Sequence, residues 1–216
     1  MVVMGRRDTL GVTMDEMVHH TRMVSCAATN SLVVADLPFL SYQVTPEDAL
    51  RNAGRLVAEA GAGAVKLEGP ASKFGDSIAA ILRAGIPVMG HIGLTPQSIK
   101  QFGGFKVQGR DPENRARLRE EARGLEQAGC FAIVLECMPA DLAAEITGDL
   151  GIPTIGIGAG SACDGQVLVL HDILGWGATR FAKTFGDVRA LMRDACTSYI
   201  DEVKSGKFPA EEHTYK

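Results

Sequence analysis

Short apolar, β-branched runs alternate along this chain with segments whose apolar residues fall at helical spacing. Residues 32–36, 64–68, 87–91, 131–136, 153–157 and 166–171 read as six buried strands. The first helix opens at Thr13, where Thr13-Met14-Asp15-Glu16 fits a capping box. Thr45-Pro46-Glu47-Asp48 opens the next, with a cap, a proline at the first helical position and acids in the first turn. It runs to about residue 60 and Gly61 ends it. Further helices are expected over 75–84, 112–128, 141–150 and 188–204, and Thr95-Pro96-Gln97-Ser98 caps a short one. Strand–helix alternation implies a parallel sheet covered by helices. Near-continuous apolar strands fit a sheet buried on both faces.

An open doubly wound sheet and a closed barrel both fit that alternation. The strand ends favour the barrel. Asp36, Lys66 with Glu68, His91, Glu136 and the pair His171-Asp172 all stand where strands finish. A parallel barrel gathers such ends at one mouth, whereas an open sheet concentrates function at one switch point. Lys66 and Glu68, two apart, share a strand face. With Asp36 on the preceding strand they suit a Mg²⁺ ligand set beside a cationic clamp, or equally a structural ion pair. Glu136 closes an apolar strand, where burial would make it a usable general base; the other reading is a cap for the helix after Pro139. His91 is either a core histidine bonded to backbone or a substrate contact. Gly156-Ile157-Gly158-Ala159-Gly160 does not match a dinucleotide fingerprint and reads as a tight turn at the mouth. Residues 102–110 read as a mobile lid or an ordinary long loop.

Composition adds limits. The chain of 216 residues is 46% hydrophobic, enough for one globular domain spanning 1–216. Twenty-two basic residues against 26 acidic ones, with no basic run, point away from nucleic acid and anionic membranes. No apolar stretch reaches the ~18 residues of a membrane span. Five cysteines without C-x-x-C spacing fit a reduced, cytoplasmic protein.

Several stretches, in order, resemble ketopantoate hydroxymethyltransferases. They are Ala35-Asp36-Leu37-Pro38-Phe39, Val65-Lys66-Leu67-Glu68-Gly69, Gly90-His91-Ile92-Gly93-Leu94-Thr95-Pro96-Gln97-Ser98, residues 102–110, Val134-Leu135-Glu136-Cys137, residues 156–160 with Asp164-Gly165-Gln166, His171-Asp172 and Phe208-Pro209-Ala210-Glu211-Glu212-His213. The resemblance implies a (β/α)₈ TIM barrel of the phosphoenolpyruvate/pyruvate type. It implies transfer of a one-carbon unit from 5,10-methylenetetrahydrofolate to 3-methyl-2-oxobutanoate, with Mg²⁺ binding the keto acid. By match to the family, Asp36 and Glu68 are metal ligands, Asp36 and Lys66 meet the substrate, and Glu136 is the proton acceptor; His91 is assigned to substrate binding. A decameric homo-oligomer is also implied. The related alternatives are a Mg²⁺-dependent α-keto-acid lyase on a similar barrel, and a catalytically impaired or non-catalytic subunit.

The family pattern has two more strands upstream, the second ending in a Gly-Asp-Ser motif that supplies a metal ligand and a substrate contact. The chain aligns from just after that motif, so a misassigned start or a fragment is expected, with a barrel lacking its first two strands. Gly11 stands where proline is usual, and residues 175–181 look shortened.

Overall fold

The computed structural model describes residues 3–102, 104, 107–177 and 181–215. The chain divides into two compact units, residues 3–167 and 168–216, with the sheet wholly in the first. Its strands are β1 (Val34–Asp36), β2 (Ala64–Lys66), β3 (Val88–Gly93), β4 (Ala132–Glu136), β5 (Thr154–Ile157) and β6 (Gly165–Gln166). All neighbouring pairs are parallel, and the spatial order is β1-β2-β3-β4-β5-β6. Strictly sequential order is decisive between the two topologies the alternation allowed. A doubly wound sheet reverses direction at a switch point, whereas a singly wound barrel sheet adds each strand beside the last.

The helices of this unit are α1 (Met14–Ala27), α2 (Pro46–Ala58), α3 (Ala71–Arg83), α4 (Ile99–Phe102), α5 (Pro112–Gln127) and α6 (Ala140–Asp149). Thr13 and Glu16 form the expected capping box, and Thr45 caps α2 through the Asp48 amide. Gly61 ends that segment with φ +75°. Thr95 makes no capping hydrogen bond; Pro96–Ser98 is a single 3₁₀ turn leading into α4.

Right-handed crossovers place the helices on one side of such a sheet. Alternate strand residues follow that geometry. Ala35, Leu37, Val65, Leu67, Ile92, Ile133 and Leu135 are buried and belong to one apolar cluster with Leu56, Ile78, Ile81, Leu125 and Leu142 from α2, α3, α5 and α6. Gly90 lies on this face, where a Cβ would press on Leu125. The intervening residues, on the opposite face, include Asp36, Lys66, His91 and Glu136. A second seam is electrostatic. Arg115, Arg119 and Arg123 of α5 pair with Asp141, Glu145 and Asp149 of α6, four residues apart on each helix.

The sixth strand departs from expectation. It covers only two residues, and Leu170–Ile173 is a short helix, α7, so His171 and Asp172 do not end a strand. Strand pairing is recorded only for Gly165 and Gln166, and Val169, still extended, directly precedes α7. His171 and Asp172 belong to the second unit, which also holds α8 (Val188–Lys204) with the predicted bounds. No residue of α8 is buried, and Leu191, Met192, Tyr199, Ile200 and Val203 are 45–68% exposed. Phe208 packs back on Tyr199 and His213. The expected shortening at 175–181 falls partly on residues 178–180, outside the described residues.

Ile81 is fully buried between helix and sheet. Truncating it leaves a void that the neighbouring strands cannot fill, so Ile81→Ala should lower unfolding free energy by about 2–5 kcal/mol. Urea titration followed by circular dichroism checks this.

Candidate active site

Register brings the charged strand-end residues together. Asp36 pairs with Lys66 across β1–β2, and Gly93 with Glu136 across β3–β4. Glu68 follows β2 by two residues, at the level of His91, whose carbonyl accepts from the Gly69 amide at 2.9 Å. All five polar side chains therefore rise from one sheet face.

Lys66 is at their centre. Its Nζ lies 3.0 Å from Asp36 Oδ1 and 3.5 Å from His91 Nδ1. Burial pushes the ammonium down, but the charges of Asp36, Glu68 and Glu136 outweigh this and hold it above its ordinary value. The ion pair that the spacing allowed is thus formed, with Asp36 and not with Glu68. The Asp36 side chain is 49% exposed, so one end of the pair faces solvent.

Glu68 is 8% exposed. Burial pushes its carboxyl up; the nearby His91, Lys66 and the Gln97 amide pull the other way, and Asp36 adds repulsion. Its Oε2 accepts from the Gln97 backbone N–H at 2.9 Å. Around it sits a network that the sequence did not announce. Tyr42, 1% exposed, donates from its hydroxyl to the Glu68 carbonyl at 2.9 Å and accepts from the Glu68 amide at 3.1 Å. Gln97 donates its side-chain amide to the Leu37 carbonyl at 2.9 Å and accepts from Gln43 at 2.9 Å. Gln97 thereby ties β1, β2 and the turn after β3 into one unit. Beside it, Tyr42, Phe74, Glu68, Gln97 and Lys100 line part of a cavity of about 240 Å³.

Glu136 ends β4 with its side chain 13% exposed. It does not cap the next helix: Pro139 stands at that position with no side-chain capping bond. The turn that follows is constrained. Cys137 takes a left-handed φ of +49°, its amide donates to the Ile157 carbonyl, and its own carbonyl accepts from the Gln108 amide. A non-glycine residue held there is locally strained, which marks a geometry fixed by its surroundings. Gly93, φ +96°, lies so close that a Cβ would collide with the Glu136 carbonyl. Burial also holds the Cys137 thiol up at about 11, so it is an inert neighbour at neutral pH.

His91 is 2% exposed. Its Nδ1 faces Lys66 and, at 4.0 Å, Glu68 Oε1; its Nε2 lies 3.1 Å from Glu136 Oε2. That last approach is short, yet it misses the N–H direction and makes no hydrogen bond. Lys66, Glu68 and Glu136 thus surround a ring that is almost wholly withdrawn from solvent. The expected lid falls partly on residues 103, 105 and 106, outside the described residues; beyond them Gly109 packs on Leu118 and Leu142. Gly158 and Gly160 make the expected tight turn, with φ of +62° and +84°. Among the described residues, no three His, Cys, Asp or Glu side chains gather as a metal site. Asp36 and Glu68 are the two carboxylates that could contribute to one. Their mutual repulsion and the oxygen-only donor set suit a hard divalent cation completed by water and substrate.

A singly wound parallel sheet with helices on one face, and an acid–base cluster at successive strand ends on the other, defines an α/β enzyme of the TIM-barrel kind. A solved orotidine 5'-monophosphate decarboxylase from Methanocaldococcus jannaschii shares this fold, with TM-score 0.52 and 15% identity over 72% of this chain and 71% of that one. Sequence relationship goes further. The family model for ketopantoate hydroxymethyltransferase matches residues 1–211. A 3-methyl-2-oxobutanoate hydroxymethyltransferase of Clostridium novyi (strain NT) is 57% identical over all of this chain and 79% of its own length. One from Geobacter metallireducens is 57% identical over 99% of this chain and 81% of its own length. The chain belongs to the ketopantoate hydroxymethyltransferase family.

The buried charge of Glu68 has a stability cost. A carboxyl raised in the folded state favours folding below its unfolded value and loses that contribution as pH rises through the raised one. Glu68→Gln should therefore raise the urea midpoint at pH 8. The gain should shrink as pH falls toward the ordinary glutamate range, as paired denaturation curves at several pH values will record.

Proposed function

We propose that this chain transfers a hydroxymethyl group from 5,10-methylenetetrahydrofolate to 3-methyl-2-oxobutanoate, giving 2-dehydropantoate for pantothenate synthesis in the cytoplasm. Family membership supports the reaction. The observation that carries the chemistry is the placement of Lys66 and Glu136 on one face, with carboxylates beside them.

The keto acid brings a carboxylate and a carbonyl oxygen. Lys66, held cationic by three acids, offers them a positive group in a partly dry site, where such an interaction is strong. Asp36, with its exposed edge, orients Lys66 and meets the substrate. Asp36 and Glu68 would hold Mg²⁺, which when bound withdraws charge from the keto acid and makes its C3 proton acidic. Glu136 removes that proton, and the resulting carbanionic C3 attacks the one-carbon electrophile; the carbon–nitrogen bonds to the folate break, water supplies the hydroxyl oxygen, and tetrahydrofolate leaves. The Gln97 backbone amide keeps the Glu68 carboxylate from rotating away, and Tyr42 fixes the Glu68 backbone. His91 contributes to this pocket from behind. The barrel is of the phosphoenolpyruvate/pyruvate type, to which the described residues give six strands.

Self-association, up to the decamer, belongs to the same proposal. The uncovered apolar stripe of α8 supports it, because large exposed apolar patches mark contact surfaces. A Leu191→Glu, Ile200→Glu chain should sediment at lower mass than the unaltered chain.

The reaction is tested by Mg²⁺-dependent deuterium exchange at C3 of 3-methyl-2-oxobutanoate, followed by proton NMR without any folate. Exchange should require both Mg²⁺ and Glu136, with Glu136→Gln slower by about 10²–10⁴-fold. A folded, soluble sample that exchanges nothing would refute the reading.

A further inference from the structure

We propose that His91 is a positioning residue: Lys66 fixes its ring with the hydrogen on Nε2, and that hydrogen holds the Glu136 carboxylate in place. The inference rests on Glu136 being the base.

Lys66 Nζ stands 3.5 Å from His91 Nδ1. An ammonium has hydrogens to give and no lone pair to receive one. A hydrogen on Nδ1 would point at those hydrogens, so Nδ1 presents its lone pair and the ring hydrogen sits on Nε2. Glu68 Oε1, at 4.0 Å from Nδ1, is beyond hydrogen-bond length and does not compete. The choice of tautomer is thus made by a neighbour on the adjacent strand, as is usual for a buried imidazole.

The other side of the ring completes the argument. Nε2 is buried, without a hydrogen-bond partner, and Glu136 Oε2 is 3.1 Å away but off the N–H direction. A buried N–H in want of an acceptor is a standing drive toward the nearest one. The terminal torsion of a glutamate is broad, so a small turn of the carboxylate aligns it. Lys66, His91 and Glu136 come from β2, β3 and β4 in order. The group that meets the keto acid therefore also orients, through one ring, the group that takes its proton.

The test reads the tautomer first. Long-range ¹H–¹⁵N correlation on the whole chain resolves the five histidines, and the signals absent from His91→Gln identify His91. A bare Nδ1 and a protonated Nε2 are expected. Lys66→Met should release the preference, and Glu136→Ala should move the Nε2 resonance. A hydrogen on Nδ1 in the unaltered chain, or an Nε2 signal indifferent to Glu136→Ala, overturns the proposal whether or not the chain turns over. The second reading is C3 exchange. His91→Leu should lower kcat about a hundredfold, with KM for the keto acid within about twofold. His91→Gln, which keeps an N–H near the Nε2 position, should recover most of the loss. Equal impairment of the two variants would count against positioning. Loss of exchange from the unaltered chain would instead refute the functional reading, and the spectrum would decide this one alone.

Discussion

The alternation of side chains along parallel strands is the constraint from which the rest of this molecule follows. Successive residues point to opposite faces, and helices cover only one of them. Val65, Leu67, Ile133 and Leu135 go to the helix side and close the core. Their neighbours Lys66, Glu68, Val134 and Glu136 are left on the other side. A single residue inserted in β2 or β4 would exchange these sets and destroy both core and site together.

The polar face is sustained because its charges balance locally. Lys66 is surrounded by Asp36, Glu68 and Glu136, so its burial does not neutralise it. Glu68 has the less comfortable position, buried and opposed by Asp36. Its carboxylate accepts from the Gln97 backbone amide, and its own backbone is fixed by the Tyr42 hydroxyl, which accepts from the Glu68 amide and donates to the Glu68 carbonyl. Strain at Cys137 and the collision-free close approach at Gly93 serve the same end for Glu136.

Much of this was legible in the residues. Five of the six strands and the capped helices follow from periodicity and end signals, and α8 appears with its predicted bounds. Asp36, Lys66, Glu68, His91 and Glu136 stood out because core packing does not want them at strand ends. What could not be read was non-local. Tyr42 meets Glu68 across 26 residues and Gln97 across 55, and nothing in Ser41-Tyr42-Gln43 signals that contact. Gln97 was hidden inside a Thr-Pro capping pattern, although its backbone amide is what holds Glu68. The last strand failed for the opposite reason: an apolar run at 166–171 carries the same local pattern whether it pairs fully or turns into α7.

The seam between α5 and α6 repeats itself every four residues on both helices. A ladder with identical rungs resembles a ruler with evenly spaced marks: it aligns two objects but does not say which mark meets which. Sliding one helix by a turn, about 5.4 Å, would still leave two arginines facing acids. The axial setting of these helices therefore comes from irregular apolar residues, Leu118 and Leu125 on one helix and Leu142 and Ile146 on the other. The charges favour the approach of the two helices, and shape alone specifies their final address.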